Sequence, residues 1–116
     1  MSTLRRLNAR DFDSVVADTT PVLVDFYTDW CGPCRMLAPV LETLAVELKD
    51  RLTITKVNLE EEGSLGARFQ VSAVPTMMLF KDGNVLDTIV GMPHPDALRR
   101  RLESHLPAPV KAASRS

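Results

Sequence analysis

Cysteine is scarce in this chain, with two among 116 residues. A secreted scaffold stapled by several disulfides is thereby excluded. An excess of charge is missing too: the formal net charge is -1. That balance gives no electrostatic footprint for nucleic acid or an acidic membrane surface. No apolar run approaches the ~18 residues a membrane helix needs. The opening Met1-Ser2-Thr3-Leu4-Arg5-Arg6-Leu7 lacks the apolar segment of a signal peptide, and Asp11 and Asp13 arrive too early for a transit peptide. Repeats and an internal linker are also absent. What remains is a chain of ordinary composition, 45% hydrophobic and 25% charged, long enough for one core and too short for two. A reducing, cytoplasmic compartment is the expectation.

The two cysteines are close neighbours, in Trp30-Cys31-Gly32-Pro33-Cys34. An apolar run, Val22 to Tyr27, precedes them, and a helical pattern from Met36 to Leu48 follows. Within a first helical turn, side chains three apart share a face with Cβ atoms about 5–6 Å apart. Disulfides tolerate Cα separations of about 4.4–6.8 Å, so the pair can close and reopen on a fixed scaffold. So small a ring restrains few residues, and its value is chemical rather than structural. Zinc binding is the competing reading of the spacing. It needs further ligands, and His94 and His105 lie at the wrong spacing for a finger; both read as surface residues.

Elsewhere the pattern is that of alternating strands and helices. Thr3–Ala9 reads as a weak strand, and Asp11–Val16 as a short helix with acids in its first turn. Val22–Thr28 is nearly continuous in apolar, β-branched residues, which suits a central strand covered on both faces. Leu37, Val40, Leu41, Leu44 and Leu48 form a helical stripe. Pro39 inside it predicts a kink. Thr53–Leu59 is a strand that Glu60-Glu61-Glu62-Gly63 breaks, and Ser64–Phe69 a short helix. Two apolar runs flank Asp82-Gly83, a strong hairpin signal. Asp96–Leu106 is a last helix, with Arg99-Arg100-Arg101 on its solvated side. Pro107–Ser116 reads as a mobile tail beyond a domain spanning 1–106. The order β-α-β-α-β-α-β-β-α predicts a mixed sheet between helices.

Val-Asp-Phe before Trp-Cys-Gly-Pro-Cys, then Pro39, Val74-Pro75-Thr76, Phe80-Lys81-Asp82-Gly83 and Val90-Gly91, together resemble the thioredoxin family. The likeness runs in register from about Leu7 to Leu106. It implies the α/β thioredoxin fold, a five-stranded mixed sheet flanked by four helices. It implies a general protein disulfide reductase with no bound cofactor, a redox-active Cys31–Cys34 pair, and NADPH electrons arriving through a flavoenzyme, thioredoxin reductase. Disulfide-containing proteins are the implied substrates; the sequence is silent on oligomeric state, and a monomer is the default expectation. Tyr27, where a second tryptophan is usual, and Arg35, where lysine is common, depart from the pattern.

The resemblance also distributes roles. Cys31, at a helix N-terminus that favours thiolate, is the expected nucleophile, and Cys34 the resolving thiol. A thiol near pKa 7, the value characteristic of thioredoxins, is about half thiolate at pH 7, against roughly 3% for a free cysteine. Lower intrinsic nucleophilicity returns about 4–6-fold of that gain. The larger advantage is a second thiol held close, since oriented groups reach effective molarities of about 10⁵ M or more. Asp25 interrupts the apolar strand. From pattern alone a solvated edge aspartate fits it; by resemblance it accepts the Cys34 proton, with Lys56 tuning it. A simple solvated strand lysine remains the other reading of Lys56. Gly32 and Pro33 set a turn that goes with a reductant rather than an oxidant or isomerase. Trp30, Leu59, Ala73, Val74, Pro75, Gly91 and Met92 are expected to line the substrate groove, with a cis bond before Pro75. The bland alternatives are a core tryptophan, a strand-start proline and a strand-end glycine. A binding subunit with incidental thiols, or a thiol oxidase or isomerase, are the competing functions.

Overall fold

The computed structural model describes residues 4–108. The elements are β1 (Arg5–Arg6), α1 (Phe12–Val16), β2 (Val22–Tyr27), α2 (Gly32–Glu47), β3 (Thr53–Asn58), α3 (Gly63–Arg68), β4 (Thr76–Lys81), β5 (Asn84–Val90) and α4 (Pro95–Glu103). The strands lie in the order β1-β3-β2-β4-β5. β1 and β2 each pair with β3 in parallel, whereas β4 runs antiparallel to β2 and β5. This is the expected mixed sheet: helical crossovers give parallel neighbours and the hairpin supplies the antiparallel edge.

Period-two alternation sends each strand's side chains to two separate cores. On one face Leu23, Ile54, Met77 and Leu79 meet Leu37, Leu41 and Leu44 of α2 and Leu98 and Leu102 of α4. On the other, Val22, Val24, Phe26 and Phe80 meet Phe12 and Val16 of α1 and Leu65 of α3. Each fully buried leucine on α2 contributes about 1.5–3 kcal/mol. This burial fixes which way the helix faces. Asp25 therefore shares the α2 face with Leu23, and Lys56, opposite it in the register, shares that face with Ile54.

The hairpin forms as its sequence predicts. Lys81 pairs with Asn84 across two residues with positive φ, Asp82 at 54° and Gly83 at 81°. Both lie in the left-handed region that a tight hairpin turn with the sheet's own twist requires. The register then shifts, Phe80 pairing with Val85 but Leu79 with Asp87, so Leu86 is an extra residue. That bulge had no signal in the sequence.

Most boundaries fall within one residue of expectation, and three elements differ by more. The first strand, expected over Thr3–Ala9, covers Arg5–Arg6 among the described residues, and Thr3 lies outside them; Asn8 turns the chain, its Oδ1 accepting from the N–H groups of Arg10 and Asp11. Helix α2 starts at Gly32, ahead of its apolar stripe, and is continuous with Pro39 inside it. The last helix stops at Glu103, after which Leu106 N–H reaches back to the Glu103 carbonyl in a tighter turn. Of the residues read as a tail, Pro107 accepts a hydrogen bond from Arg51 Nε at 2.9 Å. Residues 109–116 lie outside the described region. Among the described residues no helix is long and apolar enough to cross a membrane.

Candidate active site at the start of helix α2

Both cysteines lie where β2 hands over to α2. Cys31 is the N-cap of α2, and Pro33 occupies the first turn, where a missing N–H costs nothing. Cys31 and Cys34 are joined as a disulfide with Cα atoms 5.2 Å apart. The Cys34 N–H donates to Cys31 Sγ at 3.1 Å, so an otherwise unpaired helix-end donor is aimed at that sulfur. Cys31 is half-buried, whereas Cys34 is only 5% exposed. Another protein can reach the outer sulfur and not the inner one.

Behind Cys34 lies a cavity of about 250 Å³ whose walls include Asp25, Tyr27, Asp29, Cys34, Arg35 and Lys56. Asp25 is 5% exposed, and its Oδ1 has no hydrogen-bond partner. Burial pushes its carboxyl up to about 7, and the positive charge of Lys56 only partly opposes this. The reading of Asp25 as a solvated edge aspartate is thereby corrected: period-two alternation carries it inward. A cavity of this size, with polar groups among its walls, has room for water to satisfy the carboxyl. The two residues that depart from the expected pattern, Tyr27 and Arg35, both wall this space. The Tyr27 hydroxyl is enclosed without a hydrogen bond, and burial raises its pKa.

In front of Cys31 the Val74–Pro75 peptide is cis, as the resemblance implies. Val74 O lies 3.6 Å from Cys31 Sγ. Gly91, at φ 87°, turns its N–H onto Pro75 O at 2.8 Å. This makes Gly91 both the strand-end turn and a neighbour of the cis proline. Ala73 is exposed just before, its carbonyl accepting from Thr76 Oγ1 at 2.6 Å. Trp30 is no core residue, being 82% exposed. Leu59 and Met92, expected on the groove, are half-buried and pack on the two cores, Leu59 against the α1 and α3 side and Met92 against the α2 and α4 side. A Cβ on Gly66 would come within 2.8 Å of Leu59 Cδ2, so glycine there makes room for that leucine.

Two positioning contacts had no sequence signal. Glu60, read only as a strand breaker, accepts from Trp30 Nε1 at 3.0 Å and from the Asp29 N–H at 3.3 Å. Arg35 donates through Nε and Nη2 to Asp29 O, at 3.2 and 2.9 Å. The loop before Cys31 is thus held from both sides. The histidines are more than surface residues: His94 Nδ1 caps α4 by accepting from the Asp96 N–H, and His105 contacts Asp87. Within the arginine run, Arg99 pairs with Glu47 and Arg101 with Asp87, which leaves little of a partner patch. Among the described residues no group of three or more His, Cys, Asp and Glu side chains is placed to hold a metal.

A sequence profile described as Thioredoxin matches residues 3–104. The chain belongs to the thioredoxin family. It is 43% identical over 99 residues to thioredoxin of Chlamydia pneumoniae, which covers 85% of this chain and 95% of that one. It is 42% identical over 92 residues to thioredoxin 1 of Synechococcus elongatus, covering 79% and 86% of the two chains. The crystal structure of oxidized mitochondrial thioredoxin 3 from Saccharomyces cerevisiae superposes with a TM-score of 0.80 at 30% identity, over 88% of this chain and 95% of that one. As a thioredoxin-family protein with its cysteine pair in the active-site position, the chain is a protein-disulfide oxidoreductase and acts as a disulfide reductase.

Proposed function

We propose that the chain carries electrons from an NADPH-dependent thioredoxin reductase to disulfide-containing proteins of the cytoplasm, with Cys31 attacking and Cys34 resolving. The unequal burial of the two sulfurs is the observation that carries this assignment. In the dithiol form, Cys31 thiolate attacks one sulfur of a substrate disulfide; a Cys31–substrate bond forms and the other substrate sulfur leaves as a thiolate. Cys34 then gives its proton to Asp25, directly or through cavity water, and attacks Cys31 Sγ. The Cys31–Cys34 bond forms, the second substrate sulfur leaves, and two electrons have passed to the substrate. The reductase reverses the last change.

Asp25 suits the transfer because a group titrating near neutral pH can both take and return a proton. Lys56 tunes that carboxyl from the neighbouring strand. Gly32 and Pro33 set the turn. Ala73, Val74, Pro75, Gly91 and Trp30 form the face on which an extended substrate segment pairs as an added strand. Leu59 and Met92 support it from beneath. Residues 1–106 form the domain, and 107–116 follow it as a tail. Trapping tests the assignment: Cys34→Ser should accumulate a mixed disulfide through Cys31, and Cys31→Ser should not. Equal trapping by both variants would overturn it.

A further inference from the structure

β2 and β3 present three polar side chains to one cavity. Asp25 and Tyr27 are two apart on β2 and face the same way, and Lys56 is the register partner of Asp25 on β3. Although directly opposite Asp25, Lys56 makes no ion pair with it among the described residues, and Asp25 Oδ1 stays unpartnered. The Lys56 ammonium instead lies over the Tyr27 ring, 5.5 Å from its centroid. The face of an aromatic ring attracts a cation, by about 0.5–1 kcal/mol at exposed sites and about 2 when desolvated.

We propose that the Tyr27 ring is a positioning element of the exchange site, drawing the Lys56 ammonium onto its face and so holding that charge away from Asp25. The other charged groups around the cavity are engaged elsewhere. Arg35 of α2 is bound to Asp29 O, and Arg6 of β1 is paired with Glu61 at 3.2 Å. Asp29 carries the other carboxylate of the wall, bonded to Asn58 Nδ2 at 3.5 Å, and Cys34 closes the cavity from α2. Lys56 is thus the cation whose position sets how far the burial of Asp25 is opposed. A buried carboxylate with an open oxygen attracts an ammonium strongly, and contact would favour its ionised form. With the ring in place, the carboxyl titrates near neutral pH, where its ionised form can take the Cys34 proton and its protonated form can return it.

This inference rests on Asp25 and Lys56 acting as assigned above, but its test reads Asp25 itself rather than turnover. The Asp25 carboxyl carbon is followed by NMR against pH in the full-length oxidised protein. Tyr27→Phe keeps the ring and should leave the midpoint within about 0.2 pH unit; Tyr27→Met fills the space without a ring and should lower it by about half a unit or more. Lys56→Met should raise it, and Tyr27→Met added to Lys56→Met should then change nothing further. A midpoint unmoved by Tyr27→Met, or a drop that persists without Lys56, overturns the proposal. Should Tyr27→Met fail to fold, Tyr27→Leu carries the same comparison. Midpoints that move as expected while the resolution rate does not follow would sustain the tether and refute Asp25 as proton acceptor.

Discussion

The Cys34 N–H donates to the sulfur of Cys31 across 3.1 Å, within the first turn of α2. The resolving residue therefore also steadies the attacking sulfur, through its backbone rather than its thiol. Once the disulfide is reduced, the same donor and the positive end of α2 favour thiolate on Cys31. Alkylation of the reduced protein against pH should show a midpoint near 7, the value characteristic of thioredoxins, against about 8.5 for a free thiol. A midpoint of about 8.5 would mean that the helix end does not act on this sulfur.

Asp25 makes the fold less stable while serving exchange. Its folded pKa near 7 lies above the model-peptide 3.8, so the folded state holds a proton that the unfolded chain releases. Stability therefore falls as pH rises from about 4 to 7. Asp25→Ala should stabilise the oxidised protein at pH 8 by about 2–4 kcal/mol and leave it unchanged at pH 3, as read by denaturant unfolding. The same variant should slow resolution of the mixed disulfide more than its formation. Equal slowing of both steps would remove Asp25 from the proton path.

Glu60 fixes the exposed indole beside the nucleophile. Glu60→Ala removes the acceptor for Trp30 Nε1 and for the Asp29 N–H. Loss of ordinary hydrogen bonds predicts a KM for protein disulfides raised about 2- to 10-fold, with global stability little changed. Trp30 is the only tryptophan in the chain, so its fluorescence anisotropy reports the freed side chain directly. Unchanged anisotropy would show that Glu60 does not hold the ring.

Asp87 anchors α4 to β5. Its carboxylate takes two bonds from Arg101, at 2.7 and 2.8 Å, and contacts His105 Nε2 at 3.2 Å. Arg101 chiefly, with His105 assisting, draws its pKa down to about 2. The stabilisation is full above the unfolded pKa near 4 and is lost as pH falls through 2. Asp87→Asn should cost about 1–2 kcal/mol at pH 7, and the difference should shrink towards pH 2 and vanish below it. A penalty independent of pH would assign the anchor to packing instead.

Features encoded locally were legible in the sequence. Asp82-Gly83 announces its turn because two adjacent residues must take positive φ, and the leucine stripe of α2 announces its face. Asp25 was ambiguous, since one carboxylate in an apolar strand fits an edge or a cavity until the neighbouring strands are placed. Glu60 was invisible as a clamp: its partners Trp30 and Asp29 lie on another loop, and an acidic run reads locally as a strand breaker. Tyr27 was legible as a departure from the family pattern. Its contact with Lys56 depends on the register of β2 against β3, which no single stretch of sequence states. Leu86, the bulged residue of β5, follows from the same kind of long-range pairing.

The central claim is that Cys31–Cys34 is a reductant's couple. Its reduction potential, measured by equilibration with a dithiol buffer, is the most direct test. The account predicts a reversible two-electron couple near -270 mV, the region characteristic of thioredoxins, in which the dithiol can reduce protein disulfides. A value of about -120 to -180 mV would make the chain an oxidant or isomerase and contradict the account.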